Sequence, residues 1–188
     1  MRLLDLREKL EARPDLARRL EQVKDRVAPC IQCGTCSASC PNADVMDMTP
    51  RRMWRALLAD RVETVFCSKT FMLCASCYLC TLRCPRGLAL THAMAGLKQV
   101  AFGLDLDRFR RSILFYRAFM DNIRQYGRIR EMEMMTRYFL ALKHPLAPFG
   151  YTAMGIRLMA RHKLHPHLPD RGPGRLAPLF DRAGRQEA

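Results

Sequence analysis

The sequence predicts an all-α chain, and three observations carry that expectation. Apolar residues recur at helical spacing through most of the 188 residues, no stretch alternates with period two between turns, and Pro, Thr and Gly stand where helices would start and stop. Leu3, Leu6 and Leu10 follow i, i+3, i+7, and Leu16, Leu20, Val23 and Val27 follow i, i+4, i+7, i+11. These give two opening helices, with Pro14 in the first turn of the second. Thr49 and Pro50 read as the N-cap and first position of a helix carrying Met53, Trp54, Leu57 and Leu58 to about Asp60. Thr91 reads as the cap of a helix ending near Gly103. A long helix from about Asp105 to Tyr126 aligns Phe109, Ile113, Tyr116, Met120 and Ile123, with Gly127 as its break. A further helix from Arg128 to Lys143 aligns Ile129, Met132, Met135, Phe139 and Leu142, and His144-Pro145 stops it. Residues 151–163 read as one more short helix, and the Pro/Gly-rich stretch from His165 as irregular.

Composition bounds the function. At 49% hydrophobic and 27% charged the chain is globular, and no apolar run approaches the roughly 18 residues of a membrane span. The opening MRLLDLREKLEARPDL lacks the continuous apolar stretch of a secretory signal. A cytoplasmic chain is expected, in a compartment where disulfides are uncommon, so nine cysteines ask for a metal or redox explanation. Lys and Arg outnumber Asp and Glu 32 to 18, a net charge of +14. The excess rises toward the C-terminus without forming a dense block. That pattern suits a solvated surface or an acidic protein partner, and no nucleic-acid partner is expected.

Eight of the nine cysteines fall into two copies of one run. Cys30, Cys33, Cys36 and Cys40 give C-x2-C-x2-C-x3-C followed by Pro41, and Cys74, Cys77, Cys80 and Cys84 repeat it before Pro85. This is the run of two-cluster ferredoxins: three thiolates wrap one face of a 4Fe–4S cube, and the fourth points toward the other cluster. Two clusters follow, one on Cys30, Cys33, Cys36 and Cys84, the other on Cys74, Cys77, Cys80 and Cys40. Small residues between the cysteines leave backbone N–H groups free to approach the sulfurs. A structural zinc site would instead use paired C-x2-C units. The 33 residues between Cys40 and Cys74 hold the helix expected at Thr49, which favours a helical ferredoxin domain over a strand-based one. Two oxidised cubes with eight thiolates lower the chain's charge to about +10, which still favours an acidic partner.

At CIQCGTCSASCP (30–41), TPRRMWRALL (49–58), CASCYLCTLRCPRG (74–87) and YGRIREMEMM (126–135) the sequence resembles the C subunit of heterodisulfide reductase and its bacterial sulfur-oxidising relatives. The resemblance spans roughly residues 25–143 and implies an electron relay without a substrate site of its own. Its partners would be an A-type flavoprotein subunit and a cysteine-rich B-type subunit where disulfide chemistry occurs. Similar cysteine runs occur in iron–sulfur subunits of flavin dehydrogenases that feed quinone, which is the alternative role. A cluster-containing nucleic-acid-binding protein is the remaining one.

Four segments are expected: an N-terminal helical arm at 1–28, a helical ferredoxin domain at 29–103, a helical extension for partner docking at 104–145, and a basic tail at 146–188. Cys67, outside both runs, reads as a small buried hydrophobe. Trp54 and Tyr78 read as packing that shields the clusters. Met132, Met134 and Met135 read as adaptable packing, and His162, His165 and His167 as solvated. Arg110, Arg117 and Arg124 recur every seven residues beside the apolar stripe of the long helix, a face suited to a protein partner or to peripheral contact with anionic lipid. No phosphate loop, dinucleotide fingerprint or catalytic triad signature occurs, so no catalytic residue is expected.

Overall fold

The structure, a computed structural model, describes residues 3–142, 150–161, 163 and 176–187, the side chains of 3–5 and 184–187 excepted. The described residues are all-helical, without a strand. They divide into two compact units, Met1–Leu106 and Asp107–Ala188.

The first unit opens with α1 (Leu3–Glu11) and α2 (Pro14–Val27). Pro14 sits in the first turn of α2, where its missing N–H costs nothing, and the Leu16, Leu20, Val23, Val27 stripe is buried. That stripe packs on α7 (Leu90–Gly103), which buries Ala93, Met94, Leu97 and Val100. The helices meet closely at Gly96, where a Cβ would lie 2.5 Å from Val23 Cγ2. Between them run the short helices α3 (Thr35–Ala38), α4 (Pro50–Leu58), α5 (Val62–Phe66) and α6 (Leu79–Leu82). Met53, Trp54 and Leu57 of α4 are buried with Val65, Phe66 and Phe71, and the Phe66 and Phe71 rings meet edge-on at 5.6 Å. Each such side chain contributes about 1.5–3 kcal/mol over its exposed state.

Thr49 is the N-cap of α4 with Pro50 at the first helical position, as expected, although its side chain makes no capping bond. Two local expectations need correction here. Thr91 is the second residue of α7 rather than its cap, and the Thr81 hydroxyl accepts the Thr91 N–H at 3.0 Å instead. Cys67, at the C-cap of α5, is exposed, because the helix turns Val62, Val65 and Phe66 inward and leaves Cys67 on the opposite side.

The second unit contains α8 (Arg110–Tyr126), α9 (Glu131–Leu142), α10 (Thr152–Ala160) and α11 (Ala177–Glu187). A 3-10 turn at Asp107–Phe109 precedes α8, so the long helix begins five residues later than expected. Gly127, at φ 72, ends it with its N–H on Ile123 O at 2.7 Å. Asn122 Oδ1 accepts the Arg130 N–H at 2.7 Å, and Glu133 accepts the Tyr126 hydroxyl at 2.7 Å, which fixes the turn into α9. The buried side of α8 carries Ile113, Ala118 and Asn122, while Tyr116 and Met120 of the expected stripe are exposed. Arg124 pairs with Asp181 of α11 at 2.6 Å. The expected irregularity from His165 fails at Ala177–Glu187, where Pro178 falls in the first turn and good helix formers follow. His144-Pro145, His162, His165 and His167 lie outside the described residues.

Candidate iron–sulfur centre

The two cysteine runs fold into two copies of one loop. In the first, Gln32 (φ 56) and Gly34 (φ 90) stand on either side of Cys33; in the second, Ser76 (φ 53) and Tyr78 (φ 64) stand on either side of Cys77. Left-handed residues turn consecutive backbone N–H groups toward one side, the concavity that receives anions and iron–sulfur groups. Three of the four are not glycine, and each costs roughly 1–2 kcal/mol over a right-handed residue. Each loop then enters one helical turn, α3 or α6, which carries the third cysteine, Cys36 or Cys80. The two turns pack on one another.

The loops are tied together beside their fourth cysteines. Asn42, two residues past Cys40, donates to Leu73 O at 2.7 Å, just before Cys74. Arg83, next to Cys84, donates to Ser39 Oγ, next to Cys40, at 3.4 Å. One cavity is lined by Cys40, Cys74, Cys77 and Cys80, with Tyr78 and Thr91 beside them. The fourth cysteine of the first run thus shares a space with the first three of the second. Around Cys36, the thiols whose charges act on it are Cys30, Cys80 and Cys33. Cys84 follows α6, and its N–H donates to Thr81 O at 3.3 Å.

Hydrogen-bond donors reach several sulfurs. Gln32 Nε2 lies 3.4 Å from Cys30 Sγ, Thr35 Oγ1 3.4 Å from Cys33 Sγ, and the buried Thr91 Oγ1 3.8 Å from Cys80 Sγ. The Thr35 hydroxyl, with Arg51 as a weaker influence, lowers the Cys33 thiol below its ordinary range. Burial pushes the Cys36 thiol up to about 11, and the neighbouring cysteines add to it against the Ser37 hydroxyl. Burial likewise raises Cys80. Buried thiols of this kind ionise when a metal takes their lone pairs. Cys33 and Cys77, the middle cysteines of the two loops, are exposed, whereas the other six are at least partly covered.

Among the described residues no three His, Cys, Asp or Glu side chains converge tightly enough to hold a single metal ion. A cube asks each thiolate to reach a different corner iron, which separates the sulfurs more widely than one tetrahedral ion does. The donor set therefore fits iron–sulfur cubes: thiols from two matched loops, turned backbone N–H groups and side-chain donors aimed at sulfur. Sequence reasoning missed the left-handed residues and the Thr91–Cys80 contact. The repeat itself signalled the former, because Tyr78 stands where the first loop has Gly34.

An Asp47 network anchors the segment between the loops. Its carboxylate accepts the Ser68 hydroxyl at 2.6 Å and the Lys69 N–H at 2.9 Å, while the Thr70 hydroxyl donates to Met48 O at 2.5 Å. Burial works against the Asp47 charge, but these donors outweigh it and hold the carboxyl below its ordinary range.

Comparison with known proteins is informative for the cysteine-bearing part. Residues 29–89, about a third of the chain, match the family model of the 4Fe–4S dicluster domain. Its curated relatives are more particular. The chain is 39% identical over 75 residues to the C subunit of the ferredoxin:CoB-CoM heterodisulfide reductase of Methanosarcina mazei, a match covering 40% of this chain and 46% of the relative. It is 36% identical over 75 residues to the iron-sulfur C subunit of the CoB–CoM heterodisulfide reductase of Methanopyrus kandleri, covering 40% and 39%. With the second iron-sulfur C subunit of the Methanocaldococcus jannaschii enzyme it shares 32% over 81 residues, covering 43% of each. The resemblance to the C subunit of heterodisulfide reductase holds, over less than half the length of these relatives.

Proposed function

We propose that this chain is a non-catalytic electron-transfer subunit of a heterodisulfide reductase-like complex, carrying two 4Fe–4S clusters. Cys30, Cys33, Cys36 and Cys84 hold the first, and Cys74, Cys77, Cys80 and Cys40 the second. Electrons pass between an A-type flavoprotein subunit and a cysteine-rich B-type subunit in disulfide or sulfur metabolism. The observation that carries this reading is the cavity shared by Cys40 with Cys74, Cys77 and Cys80, the crossing-over that a reciprocal pair requires. The relatives, each named as the C subunit of such an enzyme, support the choice of complex. A cytoplasmic location goes with this reading, because thiolate-ligated clusters suit a compartment that keeps thiols reduced. Among the described residues no helix is long and apolar enough to cross a membrane.

A bound 4Fe–4S cluster supplies one-electron uptake and release. The chain's own residues do the rest. The matched loops fix thiolates in place, so little rearrangement accompanies a change of charge. Thr35, Thr91 and Gln32 donate toward sulfur, which favours the reduced state by stabilising negative charge. The contact between α3 and α6 holds the two loops side by side, which suits transfer from one to the other. Exposed Cys33 and Cys77 put one corner of each loop at the surface, where a partner can receive or deliver an electron.

Anaerobic purification from the native host tests both levels. About eight irons and eight acid-labile sulfides per chain are expected, with the electron-paramagnetic signal of two interacting reduced clusters. Cys40→Ser should abolish the signal of the second run's cluster although Cys40 belongs to the first run. About four irons, or zinc, would sink the two-cluster reading. Co-purification with a cysteine-rich B-type subunit and a flavoprotein is the expected partnership. A single flavin dehydrogenase with a quinone-reactive subunit in their place would reassign the chain to that enzyme class.

A further inference from the structure

Helix α10 has little cover from the rest of its unit. Met154 and Ile156 are each 61% exposed, Met159 is 56% exposed and Leu158 38%, and no residue of the helix is buried. Four large apolar side chains facing water on nine residues exceed the scattered exposure that needs no explanation. Their arrangement is ordered. Tyr151, Met154 and Leu158 follow i, i+3, i+7, and Gly155, Met159 and Ile156 widen that row to about half the circumference. Arg157 and Arg161, one turn apart and both exposed, occupy the other side.

The charge around this helix points to its occupant. Between Glu133, which pairs with Arg137, and Asp170 the sequence holds no acidic residue, yet it carries Lys143, Arg157, Arg161 and Lys163. A helix docked in a protein groove presents a narrow row of anchors. A helix lying at a bilayer surface presents a broad apolar arc, with cations at its edges that reach lipid phosphates.

We propose that α10 is a peripheral membrane contact that lies in the headgroup plane of an anionic bilayer. Met154, Ile156, Leu158 and Met159 enter the acyl boundary, and Arg157, Arg161 and Lys163 meet phosphate groups. The contact is independent of the electron-relay reading. One short helix binds weakly and reversibly, so the membrane holds the chain without inserting it.

Co-sedimentation of the full chain with vesicles of phosphatidylcholine, with and without phosphatidylglycerol, tests the contact. Binding is expected to the anionic vesicles at low salt and to weaken as salt rises. Arg157→Gln with Arg161→Gln should weaken it about 25-fold, since each basic side chain near an anionic surface contributes about fivefold. Ile156→Ser with Met159→Ser should weaken it about tenfold or more. Both pairs change exposed positions, so unchanged circular dichroism and iron content certify the fold. Equal binding to neutral vesicles, no binding to either, or binding unaffected by both pairs overturns the proposal. So does loss of co-purifying protein subunits in these variants without vesicle binding, which assigns the face to a protein.

Discussion

A Cβ placed on Gly96 would meet Val23 Cγ2 at 2.5 Å, and Val is stiff about χ1, so the clash cannot be relieved by rotation alone. Gly96→Ala should therefore destabilise the first unit by about 1–3 kcal/mol in urea unfolding, despite alanine's better helix propensity. At Gly103 both methyls of buried Leu16 stand in the way, Cδ2 at 2.6 Å and Cδ1 at 2.7 Å. Gly103→Ala should destabilise as well, but less than Gly96→Ala, because a leucine end can re-seat. Asp47 gives a pH dependence whose sign follows from its lowered folded-state value. Its stabilisation is present above the unfolded carboxyl value of about 3.9 and is lost as pH falls through the folded value. Thermal melting between pH 3 and 7 should show a shallower acid limb in Asp47→Asn than in the parent chain, with a lower midpoint at pH 7. At this scale Pro14, Pro50 and Gly127 were legible because each has one strong local meaning. Thr91 misled because a hydroxyl near a helix start serves whichever partner packing brings closest: at the start of α7 the acceptor for the Thr91 N–H is Thr81, ten residues back.

Among elements, the two cysteine loops show how little of a conformation composition reveals. Gln32, Ser76 and Tyr78 are not residues that favour a left-handed backbone, yet the matched loops require it of them. Gly34→Ala isolates that requirement. The added Cβ would meet Arg51 Cδ at an ordinary 3.6 Å, so the penalty is conformational, about 1–2 kcal/mol, and should appear as faster iron loss under chelator. Helix α8 was legible in its C-terminal glycine and in the buried Phe109 and Ile113, but not in its start or in the rest of its buried side. Period counting also chose Tyr116 and Met120, which are exposed, whereas Ala118 and Asn122 are buried. Asn122 is inside because its carboxamide oxygen takes the Arg130 N–H, a bond across a turn that no helical periodicity encodes.

For the whole molecule, all nine cysteines and the α2–α7 core fall within the first compact unit. A chain ending after Leu106 should therefore remain helical and keep the iron content of the full chain, as circular dichroism and metal analysis would show. Loss of half the iron would mean that the second unit helps to hold a cluster. The all-helical class was legible from periodicity, and the dicluster domain from the repeated cysteine spacing. The helix at Ala177–Glu187 was not, since Pro and Gly just upstream masked a run of good helix formers.

Cys33 and Cys77 lie at the surface while Cys36 is buried and the other five cysteines of the runs are partly covered. Clusters seated as proposed meet dioxygen first at those two corners, and oxidative attack begins where a thiolate is open to water. Survival in air then becomes a gauge of assembly. The isolated chain should bleach quickly, and a partner that seats over either loop should slow the loss of that cluster alone, so the order of bleaching reports which loop is covered.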